Sequence, residues 1–270
     1  MAIEYASKYS GKVDERFALA SQTNGAVNND YEFTGVDTVK VFSIPTVALN
    51  NYALTGTSRY GTPSDLQNNV QSLVLGQDKA FTFVIDRKSE DDSEGAMEAG
   101  RALRRQIDEV VIPTVDKHRL SVMATKAGKT ETGAIDDAYA AFLDGMNALT
   151  DGNVPLTGRV AFVSPAFYKA IKLDGAFVKS GDASQNMLIT GSLGMVDNAN
   201  IIQVPTSYLP ENVAFILTHP SATVGPVKLE SYKIHDNPPG VNGKLVEGRI
   251  RYDAFVLDSK KSAVYVHKTA

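Results

Sequence analysis

Few residues of this sequence have the type and spacing to do chemistry, and each candidate motif misses what its reaction needs. Gly128, Lys129 and Thr130 match the end of a phosphate-binding loop, whose backbone amides cradle phosphates while the lysine reaches the terminal ones. The first glycine of that motif would fall at Met123, and a helical pattern rather than a strand precedes it, so phosphate binding is not supported. Gly191, Ser192, Leu193 and Gly194 lack the spacing of a serine nucleophile turn. The histidines, His118, His219, His235 and His267, are dispersed and form no zinc-binding pair on a helix, so each reads as an ordinary surface or packing residue. Asp136 with Asp137, and Glu90, Asp91 and Asp92, could be drawn as metal or acid–base sets. They stand where helix N-termini gather carboxylates, and no second set of ligands accompanies them. With no cysteine, disulfides, thiolate metal sites and a cysteine nucleophile are excluded together. No catalytic, cofactor-binding or metal-ligating residue is therefore assigned, and no cofactor is expected. What remains is a basic cluster, Arg101, Arg104 and Arg105. Interspersed with Glu98, Asp108 and Glu109 at helical spacing, it suits salt-bridged or intersubunit contacts.

The element that must carry these arginines is the most strongly patterned in the chain. Over residues 89–127, Ala96, Gly100, Leu103, Ile107, Val110, Val111, Val115 and Val122 recur at three- and four-residue steps, which predicts one long amphipathic helix. Asp91 or Ser93 can cap it, and Glu90, Asp91, Asp92 and Glu94 favour its positive end. At the helical rise it would be about 50 Å long, more than a compact domain of this size spans, so it needs something flat to lie on. Pro113 predicts a kink, not a stop.

Before the helix the pattern is β. Residues 38–44, 70–75 and 80–85 alternate with period two and are rich in β-branched and aromatic side chains. The polar stretch 50–69 between the first two predicts either a surface loop or a two-stranded extension leaving the body, with Arg59 and Tyr60 placed to grip another surface. Residues 1–28 have scattered apolar positions and a possible helix at 12–20, a frayed terminus or an arm that docks on a neighbour; we take it as an arm. After Gly128 come a helix at 135–149, a buried strand at 159–163, a short helix at 166–171 capped by Ser164, a loop at 174–186, and strands at 201–204 and 214–217. Strands at 228–235, 249–257 and 262–266 close the chain and could supply the flat partner of the long helix.

The chain has 270 residues, 43% of them hydrophobic, and can bury a substantial core. Its opening, MAIEYASKYSGKVDERF, lacks the apolar run of a signal peptide, and no stretch approaches a membrane span, so a cytoplasmic origin with no membrane contact is expected. A formal net charge of −4 gives no polycationic footprint for nucleic acid.

The order of elements resembles the major capsid protein of tailed bacteriophages, the Hong Kong 97-type shell fold. GRALRRQIDEVVIPTVDKHRL (100–120) is similar to that family's spine helix, and EGRIRYDAFVLDSKKSAVYV (247–266) to its closing strands. The resemblance implies an α+β fold with an N-terminal arm (1–28), an extended hairpin loop (29–80), a peripheral domain with the spine helix (81–129 and 226–270) and an axial domain (130–225). It also implies identical subunits assembling as pentamers and hexamers into an icosahedral shell around double-stranded DNA, with the extended loop lying over a neighbour. The chain would be made in the host cytoplasm and end in the virion. Scaffolding, portal and decoration proteins would be separate partners, and DNA would be contacted weakly and without sequence specificity. The intersubunit lysine–asparagine bond of some members is not carried over, since no motif anchors Lys79 and the asparagines of 50–69 to it. An encapsulin-like nanocompartment shell and a cytoplasmic α/β enzyme with an unrecognised site stand as alternatives.

Overall fold

Alternating apolar and polar residues fold Thr38–Ser43 (β1) and Asn69–Val74 (β2) into an antiparallel pair, with Thr38 opposite Val74 and Ser43 opposite Asn69. The computed structural model describes residues 21–28, 31, 38–63, 65–66, 69–92, 98–175 and 194–269, and of residues 91–92 and 228–230 the backbone alone. The expected helix at 12–20 and most of the expected loop at 174–186 lie outside the described residues. After β2 come Gln77–Asp86 (β3) and a short helix, Arg87–Asp92 (α1).

The long helix starts later than its periodicity predicts. Glu98 is extended (φ −61°, ψ 129°), so the main helix begins with Ala99–Gln106 (α2) and is separate from α1. Glu90, Asp91, Asp92 and Glu94 crowd like charges at helical spacing, and Gly95 costs a helix about 1 kcal/mol, so an unbroken helix from residue 89 is disfavoured. From Ala99 the path continues through a wide π turn, Ile107–Val111, into Ile112–Thr125 (α3), about 40 Å in all. The π turn is how the chain accommodates Pro113. Ile112 N–H bonds five residues back to Ile107 O, which opens the turn against which the proline ring would clash, and Thr114 Oγ1 donates to Val110 O at 2.6 Å. The helix is thus adjusted at the proline and not ended.

The rest of the chain supplies Lys129–Gly133 (β4), Ala138–Asp151 (α4), Arg159–Val163 (β5), Pro165–Leu173 (α5), Met195–Val196 (β6), Ala199–Gln203 (β7), Val213–Thr218 (β8), Thr223–Val224 (β9), Val227–Asp236 (β10), Gly243–Tyr252 (β11), Phe255–Val256 (β12) and Val264–Thr269 (β13). Six of these strands form one mixed sheet in the order β4-β13-β8-β5-β7-β6. Strands β5 and β8 are buried at every position, and Phe142 of α4 and Phe167 of α5 pack on Phe215 of β8. Ser164 caps α5 by accepting from Phe167 N, as its position before Pro165 predicts. Ile135 precedes α4 instead of opening it, and Thr132 and Gly133 lie in β4.

Strand β13, expected among the strands that could form the flat partner of the spine helix, joins the six-stranded sheet instead. It lies between β4 and β8, because Val264, Tyr265 and Val266 are apolar on both faces and need a sheet covered on both sides, and Leu120 and Met123 of the spine helix share its core. The flat partner of the spine is the antiparallel sheet β10-β11-β3. Its inner face sets Phe81, Phe83, Ile85, Val246 and Ile250 against Ala99, Ala102, Leu103, Val111 and Val115 of the helix. Gly248 on that face has no room for a side chain, since a Cβ would run into the Phe81 ring, which stacks 6.2 Å from Tyr232 across it.

Candidate functional site

Exposed apolar side chains concentrate on one feature, the excursion between β1 and β2. Along residues 44–66, Ile44 (71% exposed), Val47, Leu49 (100%), Leu54 (82%), Tyr60 and Leu66 face solvent. The outer face of the hairpin continues this surface with Phe42, opposite Val70, and with Val74. A single exposed leucine is ordinary, and several exposed apolar side chains on one excursion make it a candidate docking surface. The excursion has its own shape. Ala53 N–H bonds to Arg59 O (3.0 Å), Gly61 N–H to Ser58 O (3.1 Å), and Gly56 and Gly61 supply positive φ angles of 96° and 90°. Arg59 Nε donates to Gly56 O, and Tyr60 packs edge-on against Tyr52 with centroids 5.0 Å apart. The two residues expected to grip a surface therefore sit together, held from within and open on the outside.

The root of the hairpin is docked on the chain's own body. Leu73 and Leu75 pack with Val224 and Leu257, and Val39 and Val41 join this cluster with Phe255. Gln71 acts as a piece of backbone: its amide donates to Val256 O (3.1 Å) and its carbonyl accepts from Asp258 N (2.9 Å). Asp253, 9% exposed, accepts from Gly76 N (2.7 Å), His118 Nε2 (2.8 Å) and Ala254 N (2.8 Å). Burial pushes its carboxyl up, and the bonds from His118 and the two amides outweigh this, leaving it below its ordinary value.

The segment 21–28, expected as part of an arm on a neighbour, is clamped to the same body. Asp116, 1% exposed, accepts from Ser21 Oγ, Gln22 N and Thr23 Oγ1. Arg119, 3% exposed, donates to Thr23 Oγ1, Asn24 Oδ1 and Gly225 O, and Asn28 bridges to Val224. Burial lowers the pKa of Arg119, and the charge of Asp116 opposes that shift. Residues 21–24 thus supply hydrogen bonds to both buried charges that the helix presents, while Arg119 Nε stays without a partner among the described residues. Sequence reasoning missed this clamp, although an aspartate and an arginine three positions apart among Val115, Leu120 and Met123 on a core-facing helix are its signal.

Arg101, Arg104 and Arg105 stand on the exposed side of α2. Arg101 pairs with Glu98 (3.3 Å) and Arg105 with Glu109 (3.0 Å). Arg104 is exposed and makes no ion pair among the described residues. The histidines serve separate local purposes: His118 in the Asp253 node, His219 beside Ser221, His235 3.2 Å from Glu247, and His267 stacked 5.2 Å from Phe215. Lys129 and Thr130 begin a strand, and a Cβ on Gly128 would collide with the backbone of Lys261, so no phosphate loop forms there. Among the described residues no group of three His, Cys, Asp or Glu could hold a metal ion, and no helix is long and apolar enough to cross a membrane. The arrangement can bury apolar surface against another molecule.

A family model described as phage capsid protein matches residues 76–266, more than half of the chain. Among solved structures, that of Mycobacterium phage Che8 is 18% identical with a TM-score of 0.74, covering 97% of this chain and 96% of the other. The capsid structure of the cyanophage P-SCSP1u is 11% identical with a TM-score of 0.79 (98% and 93%), and the mature capsid of bacteriophage PhiM1 is 13% identical with a TM-score of 0.69 (100% and 92%). Identities this low speak for the fold alone. No curated protein sequence matches the chain.

Proposed function

The chain belongs to the phage capsid protein family and is a virion component that forms the shell, and we propose that its exposed hairpin is what joins the identical copies. The copies are arranged as pentamers and hexamers in an icosahedral container for double-stranded DNA. In this reading the excursion 44–66 lies on a neighbour and covers Ile44, Val47, Leu49 and Leu54, with Arg59 and Tyr60 at the contact. Burying each aliphatic side chain contributes about 2 kcal/mol, and closed symmetry repeats that gain at every equivalent interface. Arg101, Arg104 and Arg105 belong to a second, polar contact between subunits. The extended loop is 29–80, the peripheral domain is 81–129 with 226–270, and the axial domain is 130–225. The chain is made in the host cytoplasm. Scaffolding, portal and decoration proteins are separate partners, and DNA is held weakly.

The observation that carries this reading is the concentration of exposed apolar side chains on the excursion between β1 and β2. Electron microscopy of the purified chain tests it. Closed particles with the excursion seated on an adjacent copy are expected; a monomer with residues 44–66 folded onto its own body would overturn the reading. The nanocompartment and enzyme alternatives gain no support from the comparisons.

A further inference from the structure

We propose that Asp253 is a positioning residue that fixes the direction in which the β1–β2 hairpin leaves the body. Strand β2 ends at Val74 and β3 begins at Gln77, so Leu75 and Gly76 are the whole connection between the hairpin and the sheet under the spine helix. A junction of two residues is a pivot unless its backbone is held. The Asp253 carboxylate holds it, taking the Gly76 amide on Oδ2 at 2.7 Å while Oδ1 takes His118 Nε2 of α3 and the Ala254 amide, each at 2.8 Å. One side chain thereby joins the hairpin root, the spine helix and the end of β11.

The fit leaves little play. A Cβ on Gly76 would stand 3.3 Å from Asp253 Oδ2, and Tyr252, the neighbouring residue, packs edge-on to the His118 ring with centroids 5.6 Å apart. Gln71 then ties β2 to residues 256 and 258 on the same stretch of backbone, so 253–258 works as a rail along which the hairpin lies. The lever is long: a six-residue strand reaches about 20 Å, so a turn of about 10° at Gly76 moves the excursion by about 3 Å, roughly the width of one side-chain contact. This inference deepens the shell reading, because the direction of the hairpin matters only where the excursion must meet a neighbour.

The test is hydrogen exchange on the dissociated full-length subunit, which does not depend on assembly. In Asp253→Asn, peptides spanning Gly76 and strands β1 and β2 should exchange about tenfold faster, the loss expected when a charge-assisted bond becomes a neutral one, while peptides of β5, β8 and β13 keep their protection. Unchanged exchange in the hairpin overturns the proposal, and so does an equal rise throughout the body, which would make Asp253 a general stabiliser. His118→Ala removes one donor and should give the same local pattern at smaller size; if the Asn variant does not fold, absence of that pattern in His118→Ala overturns the proposal by itself. Failure of the wild-type chain to form shells would sink the assembly reading and leave the exchange result standing.

Discussion

Arg159 shows how a single side chain can be charged, buried and free of any acid. It is 1% exposed and spends its donors on Met146 O and Thr150 Oγ1 of α4 and on Val154 O and Pro155 O of the loop that follows. Burial pulls its pKa below the ordinary value without threatening its charge. Replacing it with methionine keeps most of the volume and strands those acceptors, so Arg159→Met should lower subunit stability by about 3 kcal/mol in a urea titration. The sequence marks 159–163 as a buried strand but gives no hint that its first residue reaches back to the last turns of α4 and the loop after it. Asp253 gives a pH signature instead. Its carboxyl titrates below its ordinary value in the folded chain, so its contribution is complete above the unfolded value, near pH 3.9, and is lost as the pH falls through the lower folded value. Acid titration of subunit stability should therefore be less steep below about pH 4 in Asp253→Asn than in the wild type.

At the scale of elements, the excursion is where stability and assembly separate. Leu49 and Leu54 are fully or almost fully exposed, so the double substitution Leu49→Asp and Leu54→Asp should leave the subunit melt within about 0.5 kcal/mol of wild type and abolish or sharply reduce sedimenting particles. An equal loss of fold would place these residues in the subunit core and not at an interface. Most elements could be read from periodicity, because the hairpin strands, the spine, α5 with its Ser164 cap and the strands β5 and β8 each carry their pattern locally. The misses are of another kind. The spine starts at Ala99 because charge crowding and a glycine compete with an apolar stripe that ignores both, and the pairing of β13 with β4 and β8 left no local pattern because those partners are distant in sequence. The contacts of Arg59 and Tyr60 within the excursion were equally out of reach, since a loop's internal bonds leave no period.

At the scale of the whole molecule, the chain carries a net charge of −4, and its exposed spine arginines 101 and 105 are already matched by glutamates. Phosphate contacts strengthen binding cumulatively and weaken with salt, so the dissociated subunit should show little binding to duplex DNA at physiological ionic strength in a fluorescence titration. Tight binding there would contradict the proposed weak hold on packaged DNA. The place of β13 also has a consequence for biosynthesis. It is the last strand of its sheet to emerge from the ribosome, yet it sits inside the sheet, linking β4 to β8. A nascent or truncated polypeptide that stops short of Val264 leaves two strand edges open and cannot complete its fold. Truncation before Val264 should therefore abolish the cooperative urea transition of the subunit.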